Sequence, residues 1–515
     1  MTMARARCVA VVGVDGHPVD VEADVADGLV GLHIVGLPDT ALREARDRIR
    51  AAVDNSGARW PTRRITVSLS PASLPKRGSS YDLAIAMAIL AAAGEVPISE
   101  VVDRVFLGEL GLDGQVRPVR GVLPAVLGAL TAGYKRIAVA RENAAEASLV
   151  PGVEVAAVPT LVELLGLLRG ELTPSDLGPG TPSAAAAPTA TAYQRRSDAD
   201  LADVAGQPVA RRAVEISAAG GHHLFLIGSP GCGKTMLAER LPTIMPKLTR
   251  EQALEVTAIH SVAGTLPADR PLIDDPPFCA PHHTSTRASL VGGGSSTIRP
   301  GAVSLAHRGV LFIDEAPECG RVMLDSLRQP LESGEVVIAR AALAARFPAA
   351  FTLIMAANPC PCARADAGAG GCACTPGGKR EYLARLSGPL LDRVDLKIRM
   401  SPPSRRELLA DQGTAESSAD VATRVQEARA RAGHRLADTP WKTNAEVPGR
   451  ELRRALAPPP ESLECLDAAL HRGELTARGL DRVLRVAWTL ADLSAHPHPT
   501  PLDTGYALAL WLGTS

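Results

Sequence analysis

Three apolar runs stand out in the middle of the chain: HLFLI (223–227), GVLFI (309–313) and FTLIMAA (351–357). Each is continuous rather than alternating, as in strands of a parallel sheet covered on both faces. They fall in a strand–loop–helix alternation from Asp200 to about 400, which predicts an α/β core. Residues 1–170 also mix the two patterns. The N-terminal CVAVV reads as a first strand, and 63–72 and 136–144 read as strands leaving into loops. Residues 39–57 read as a helix, with a cap-like Asp39, an amphipathic body and Gly57 beyond the end. LAIAMAILAAAG, starting at Leu83, reads as a buried helix too short to cross a bilayer. Residues 171–199 are rich in Pro, Ala, Ser and Thr without an apolar period, which is a linker pattern. After about Ser401 strand patterns vanish and helices dominate, 475–493 most clearly.

Composition adds constraints. Of 515 residues, 46% are hydrophobic and 22% charged, ordinary for a globular protein with a sizeable core. Aromatics are only 3%, so Ala, Val and Leu must fill it. The formal net charge of −1 excludes a global positive field toward nucleic acid or an anionic membrane, but not a local basic channel. With no full secretory h-region behind its first arginines, the chain is expected to be cytoplasmic, with no membrane partner. Nine cysteines, an odd number, argue against a disulfide framework.

The candidate chemistry begins at 228–235. GSPGCGKT fits G-x-x-x-x-G-K-[ST] and stands between a predicted strand and a predicted helix. Gly228, Ser229, Pro230, Gly231, Cys232 and Gly233 would wrap main-chain N–H groups around phosphate oxygens, and Met236 continues the helix whose positive end faces them. Lys234 would reach the β and γ phosphates of ATP, and the Thr235 hydroxyl would hold Mg²⁺. Four apolar residues place Asp314 at the C-terminal end of a strand as a second Mg²⁺ ligand. Glu315 beside it is placed to take a proton from an attacking water. Asn358 ends the third run and would orient that water or touch the γ-phosphate; the competing reading is a strand-ending turn before Pro359.

These pieces, in this order, resemble the Mg-chelatase-like family of AAA+ ATPases known as YifB or ComM. The resemblance covers nearly the whole chain and is densest in 203–242, 277–294, 309–318, 358–362 and 382–396. It implies a homo-hexameric ring with ATP sites between subunits. In that ring Arg393 looks like the arginine finger and Arg478 like the sensor-2 arginine of the lid helix; a surface salt bridge is the plainer reading of either. An arginine finger supplies about 10³–10⁵ in rate. Trp488 stands where relatives usually carry another arginine, so the lid surface is expected to differ there. The N-terminal domain looks Lon-protease-like, of the ribosomal S5 type. Ser80 is near the nucleophile position, Leu123 stands where the lysine should be, and nothing supports Lys135 as its substitute. Without a base a serine hydroxyl is a weak nucleophile, so this domain is expected to be inactive as a protease.

Three further features bear on partners. Residues 335–351 read as a hairpin of the kind AAA+ relatives push into the pore, with Arg340 and Arg346 flanking the turn and available to a DNA backbone; a solvated hairpin with structural arginines competes equally. The Gly-rich 281–296 resembles a second pore insert, and the adjacent His282 and His283 alone are poor metal signals. Cys360, Cys362, Cys372 and Cys374 form two C-x-C pairs around a nine-residue loop, a candidate structural Zn²⁺ site despite spacing tighter than the usual C-x₂-C. Because the resemblance includes a branch-migration helicase, a DNA-remodelling motor is the expected function. A chelatase motor and an ATP-dependent protease are the alternatives.

Overall fold

The computed structural model describes the chain except for residues 1, 37–39, 75, 77, 174, 178–198, 268–269, 295–297, 341–342, 363–371, 373, 404–414 and 515. Most of the linker expected over 171–199, and the cap expected at Asp39, lie outside the described residues.

The first unit is built on a seven-stranded mixed sheet. Its order is Gly31–Val35, Arg64–Ser70, Asp15–Ala26, Thr2–Val12, Arg104–Leu107, Arg136–Ala140, Glu154–Val158. The two longest strands form an antiparallel pair in register from Thr2↔Val25 to Val12↔Asp15, so the N-terminal segment is a central strand. Beyond it the sheet is parallel. The helix Asp82–Ala92 is buried along its whole length, which explains a sequence apolar on every side. The strand expected over 136–144 is shorter than expected: it ends at Ala140, and a 3₁₀ turn and a short helix follow.

The helix Val122–Thr131 lies directly on the strand Asp15–Ala26. Gly128 meets Gly16 there, and a Cβ on either would overlap the other segment's main chain. This backbone contact leaves no room for any side chain.

The second unit is a five-stranded, all-parallel sheet in the order Phe278–Cys279, Val310–Ile313, Thr352–Ala357, Leu224–Gly228, Leu396–Met400. The three apolar runs are its central strands. The helices Pro208–Gly220 and Lys234–Ile244 share one apolar core with it and with the C-terminal helices Ser418–Arg435, Pro460–His471, Ala477–Leu493 and Pro501–Leu512. Among the described residues after 401 there is no strand.

A buried ion pair joins the sheet to those helices. Asp395 is fully buried at the start of the last strand; it accepts from the His223 main-chain N–H and, at 3.0 Å, from Arg482 of the helix Ala477–Leu493. Burial pushes this carboxyl up, but Arg482 and then His222 outweigh burial and hold it well below the usual carboxylate range. Trp488, on the same helix, is buried. Its indole N–H donates to the Leu456 carbonyl, and Arg435 lies over its ring.

Two predictions follow from this packing. An exposed helical glycine replaced by alanine gains about 1 kcal/mol. Gly128→Ala should instead lose about 1–3 kcal/mol through overpacking, read as a lowered thermal midpoint; a raised midpoint would overturn the contact. Arg482→Ala strands a buried carboxylate and should cost about 3–5 kcal/mol, read at neutral pH as a shifted urea midpoint. Trp488 and Trp511 lie in the C-terminal helices and Trp441 packs against the same core, so three of the four tryptophans report on it. Because the folded pKa of Asp395 is depressed, the stability it contributes is present above the unfolded value of about 4 and is lost as pH falls below it. Arg482→Ala should therefore be less acid-sensitive than the parent.

Candidate functional site

The strand Leu224–Gly228 runs into a loop that the helix Lys234–Ile244 closes. Gly228 is required by packing, since a Cβ would press on the Cys232 sulfur and the Met400 carbonyl oxygen. Gly231 and Gly233 take left-handed φ of +78° and +93°, with open space where a side chain would begin. Pro230, Gly231, Thr235 and Met236 are exposed, whereas Ser229, Cys232 and Lys234 are buried. Among the described residues the Ser229 hydroxyl has no hydrogen-bond partner. The result is an open-faced, glycine-lined cradle backed by one buried cation, and this donor set fits a nucleotide's phosphates.

Lys234 is 8% exposed. Its ammonium donates to the carbonyls of Gly228 at 2.5 Å and Ser229 at 3.1 Å, and to Asn358 Oδ1 at 3.2 Å. Asn358 follows the adjacent parallel strand, so strand order brings it to the cradle. The next strand along runs into Asp314, whose Oδ2 accepts from Thr235 Oγ1 at 2.9 Å. The hydroxyl and carboxylate expected to share Mg²⁺ are thus already in contact, a donor pair that suits a hard cation.

Glu315 holds a left-handed φ of +47°, a strained conformation for a residue with a side chain. Its carboxylate lies 3.3 Å from His283 Nδ1. The sequence treats His282 and His283 only as poor metal signals; the fold instead brings the Gly-rich 281–294 segment to Glu315. Gln207 is a second residue that sequence reasoning missed. Its φ is +58°, and its side-chain amide donates to the carbonyls of Cys232 and Ser401, joining the cradle to the end of the last strand. The G-Q-P turn was the available signal.

Arg393 and Arg478 have no hydrogen bond to their own phosphate loop among the described residues. Arg393 pairs with Glu332 and donates to the Pro389 carbonyl. Burial, then Arg328, Arg482 and Arg478, disfavour its charge, so these arginines share one electropositive region. Arg478 is exposed in the first turn of its helix.

The hairpin forms as Glu335–Arg340 paired with Leu343–Pro348. Arg340 is in the last pair before the turn, and its side chain lies outside the described residues. Arg346 does not flank the turn: it sits opposite Val337, pairs with Glu335 at 3.6 Å, and its main chain packs on Gly13 of the first sheet. Near Ser80, the Ser79 hydroxyl donates to Glu109, Leu123 is fully buried and Lys135 is exposed. No lysine contacts the Ser80 hydroxyl among the described residues. The four clustered cysteines do converge, in a group able to hold a metal ion. No helix among the described residues is long and apolar enough to cross a membrane.

Known proteins resemble this chain along most of its length. Family models for the magnesium chelatase subunit ChlI match residues 200–408, for subunit ChlI of Mg-chelatase residues 21–143, and for the ChlI C-terminal region residues 415–510. The chain is 52% identical to the uncharacterized protein Rv2897c of Mycobacterium tuberculosis, over 99% of this chain and 98% of that one. It is 39% identical to YifB of Escherichia coli and 38% identical to the competence protein ComM of Haemophilus influenzae, each over 96% of this chain and 94% of the relative. A 96-residue stretch, 18% of this chain, is 34% identical to 17% of Lon protease 2 of Bacillus subtilis, a likeness of the N-terminal region. With matches spanning both sheets and the C-terminal helices, this chain belongs to the Mg-chelatase-like family of YifB and ComM.

Proposed function

We propose that the protein is an ATP-hydrolysing AAA+ ring motor that remodels DNA, with ATP and Mg²⁺ as cofactors and a homo-hexamer as the working form. The observation that carries the ATPase reading is the convergence of Lys234, Thr235, Asp314 and Asn358 at the ends of adjacent parallel strands. The division that accompanies it is an inactive Lon-protease-like domain over 1–170, a linker over 171–199, an AAA+ core over 200–400 and a helical lid over 401–515.

When bound, Mg-nucleotide supplies the scissile phosphoryl bond and the cation that offsets its charge. The chain's own residues do the rest. The 228–233 loop cradles phosphates, Lys234 turns from its loop carbonyls toward them, and Thr235 with Asp314 holds the cation. Glu315 accepts a proton from the attacking water, and Asn358 orients that water. Arg393 and Arg478, which make no hydrogen bond to their own cradle among the described residues, act on a neighbour's site across the ring interface. Arg393 first has to leave Glu332, which makes subunit contact a condition for turnover.

The DNA reading draws on the hairpin 335–348, with Arg340 next to its turn, and on likeness to a protein named for competence. A chelatase motor is not favoured, because the sequence shows no acidic tract that would coordinate a metal in transit. A protease is not favoured, because Ser80 lacks a base.

The test is ATP turnover with branched, single-stranded and duplex DNA. Branched DNA should stimulate the parent, and Glu315→Gln should lower turnover by about 10²–10⁴ while nucleotide still binds. Arg393→Ala should lower it by about 10³ or more, and mixing it with Lys234→Ala should restore some activity, since each supplies what the other's interface lacks. Turnover indifferent to every DNA would overturn the remodelling reading. An unchanged rate in Arg393→Ala would overturn the shared site.

A further inference from the structure

The cysteine cluster lies beside the candidate catalytic centre. The chain leaves the strand Thr352–Ala357 at Asn358 and reaches Cys360, which is fully buried, two residues later. Cys374 is followed at once by Thr375, the N-cap of the helix Pro376–Ala384. Sγ–Sγ distances are 3.3 Å for Cys360–Cys362, 3.3 Å for Cys360–Cys372 and 3.5 Å for Cys362–Cys372, and all four sulfurs lie within 4.8 Å of one another. A disulfide needs about 2.0 Å. Tetrahedral zinc–thiolate bonds of about 2.3 Å set sulfur–sulfur edges near 3.8 Å. The observed spacing therefore suits four ligands around one ion. Neutral thiols are weak hydrogen-bonding groups and have little reason to gather so tightly.

The helix that leaves the cluster returns to the site. Burial pushes the hydroxyl of buried Tyr382 up to about 12, with the Asn358 main chain working against that shift, so this ring lies next to Asn358. Arg385 donates at 3.0 Å to Glu318, three residues past Glu315. A closed circuit results: Asn358, the first two cysteines, the ion, the second two cysteines, the helix, Tyr382, and Asn358 again. Without the ion the circuit is open at its cysteine side, and that side no longer restrains the residue that contacts Lys234.

We propose that Cys360, Cys362, Cys372 and Cys374 bind one Zn²⁺ ion, and that this knuckle fixes the position of Asn358, so that metal loading controls ATP turnover. The second half rests on the ATPase reading above; the first half does not. Its measure is elemental analysis of protein purified without chelators. About one zinc per chain is expected, with Co²⁺ substitution giving the intense visible absorption of a tetrahedral thiolate site. No zinc, or iron in its place, would overturn the metal assignment.

For the coupling, Cys374→Ser should lose zinc and lower kcat about tenfold to a hundredfold, the penalty of a misplaced catalytic group, with KM for ATP nearly unchanged. Combining it with Asn358→Ala should add little to the loss from Asn358→Ala alone, because both act through one amide. Should the serine variant fold poorly, stripping zinc from the folded parent and restoring it should lower and recover kcat. Full turnover without zinc, or additive losses in the double variant, would overturn the coupling. A parent without any ATP turnover would sink the ATPase reading and the coupling together, while the zinc count would still decide the metal site.

Discussion

The buried ammonium of Lys234 is the constraint on which the site depends. A cation with so little water around it must find oxygen ligands elsewhere. It takes two from its own loop and one from Asn358 on the neighbouring strand. The loop is thereby held in one shape, and the ends of two strands are locked at a fixed distance. Asp314, one strand further out, is tied back to the same helix through Thr235. Three strand ends thus behave as one polar surface, and a change at any of them reaches the others through short charged contacts rather than through the core.

Around that surface the polar contacts spread outward in two directions. On one side, Asn358 continues into the cysteine cluster and the helix carrying Tyr382 and Arg385, which reaches back to the 3₁₀ turn after Glu315. On the other, Asp395 couples the last strand to Arg482 of a C-terminal helix. Arg393, two residues before Asp395, inherits its position from that buried pair. Strand-end chemistry and helix placement are therefore linked by ion pairs that the low dielectric of the interior strengthens. Glu315 is the exception: strained and half-exposed, it faces His283 of a distant segment.

The two units meet where little side-chain volume intervenes. Gly13 presses on the main chain of Arg346, and Gly121 donates its N–H to the Ser261 carbonyl. The buried Glu146 accepts from both Leu123 of the first unit and Ser261 of the second. Burial raises the Glu146 pKa, only partly offset by these donors, so the joint is built around a carboxyl that is costly to ionise. The hairpin 335–348 is thus anchored on the first unit through Arg346.

Much of this was legible in the chain because it depends on local order. Continuous apolar runs make buried parallel strands, a glycine-rich turn between strand and helix makes a phosphate cradle, and an acid after an apolar run stands at a strand end; each follows from neighbours in sequence. The all-round apolar Asp82–Ala92 helix and the four gathered cysteines were legible for the same reason. What only the tertiary structure decided are contacts between residues far apart in the chain. These include His283 on Glu315, Gln207 on the cradle, Asp395 on Arg482, Tyr382 on Asn358, the burial of Trp488, and Arg346 set against Gly13 instead of at the hairpin turn. Periodicity and motif say which residues stand on an element. Which distant group meets them is set by strand order and helix docking, where desolvated charges must find partners that no local pattern names.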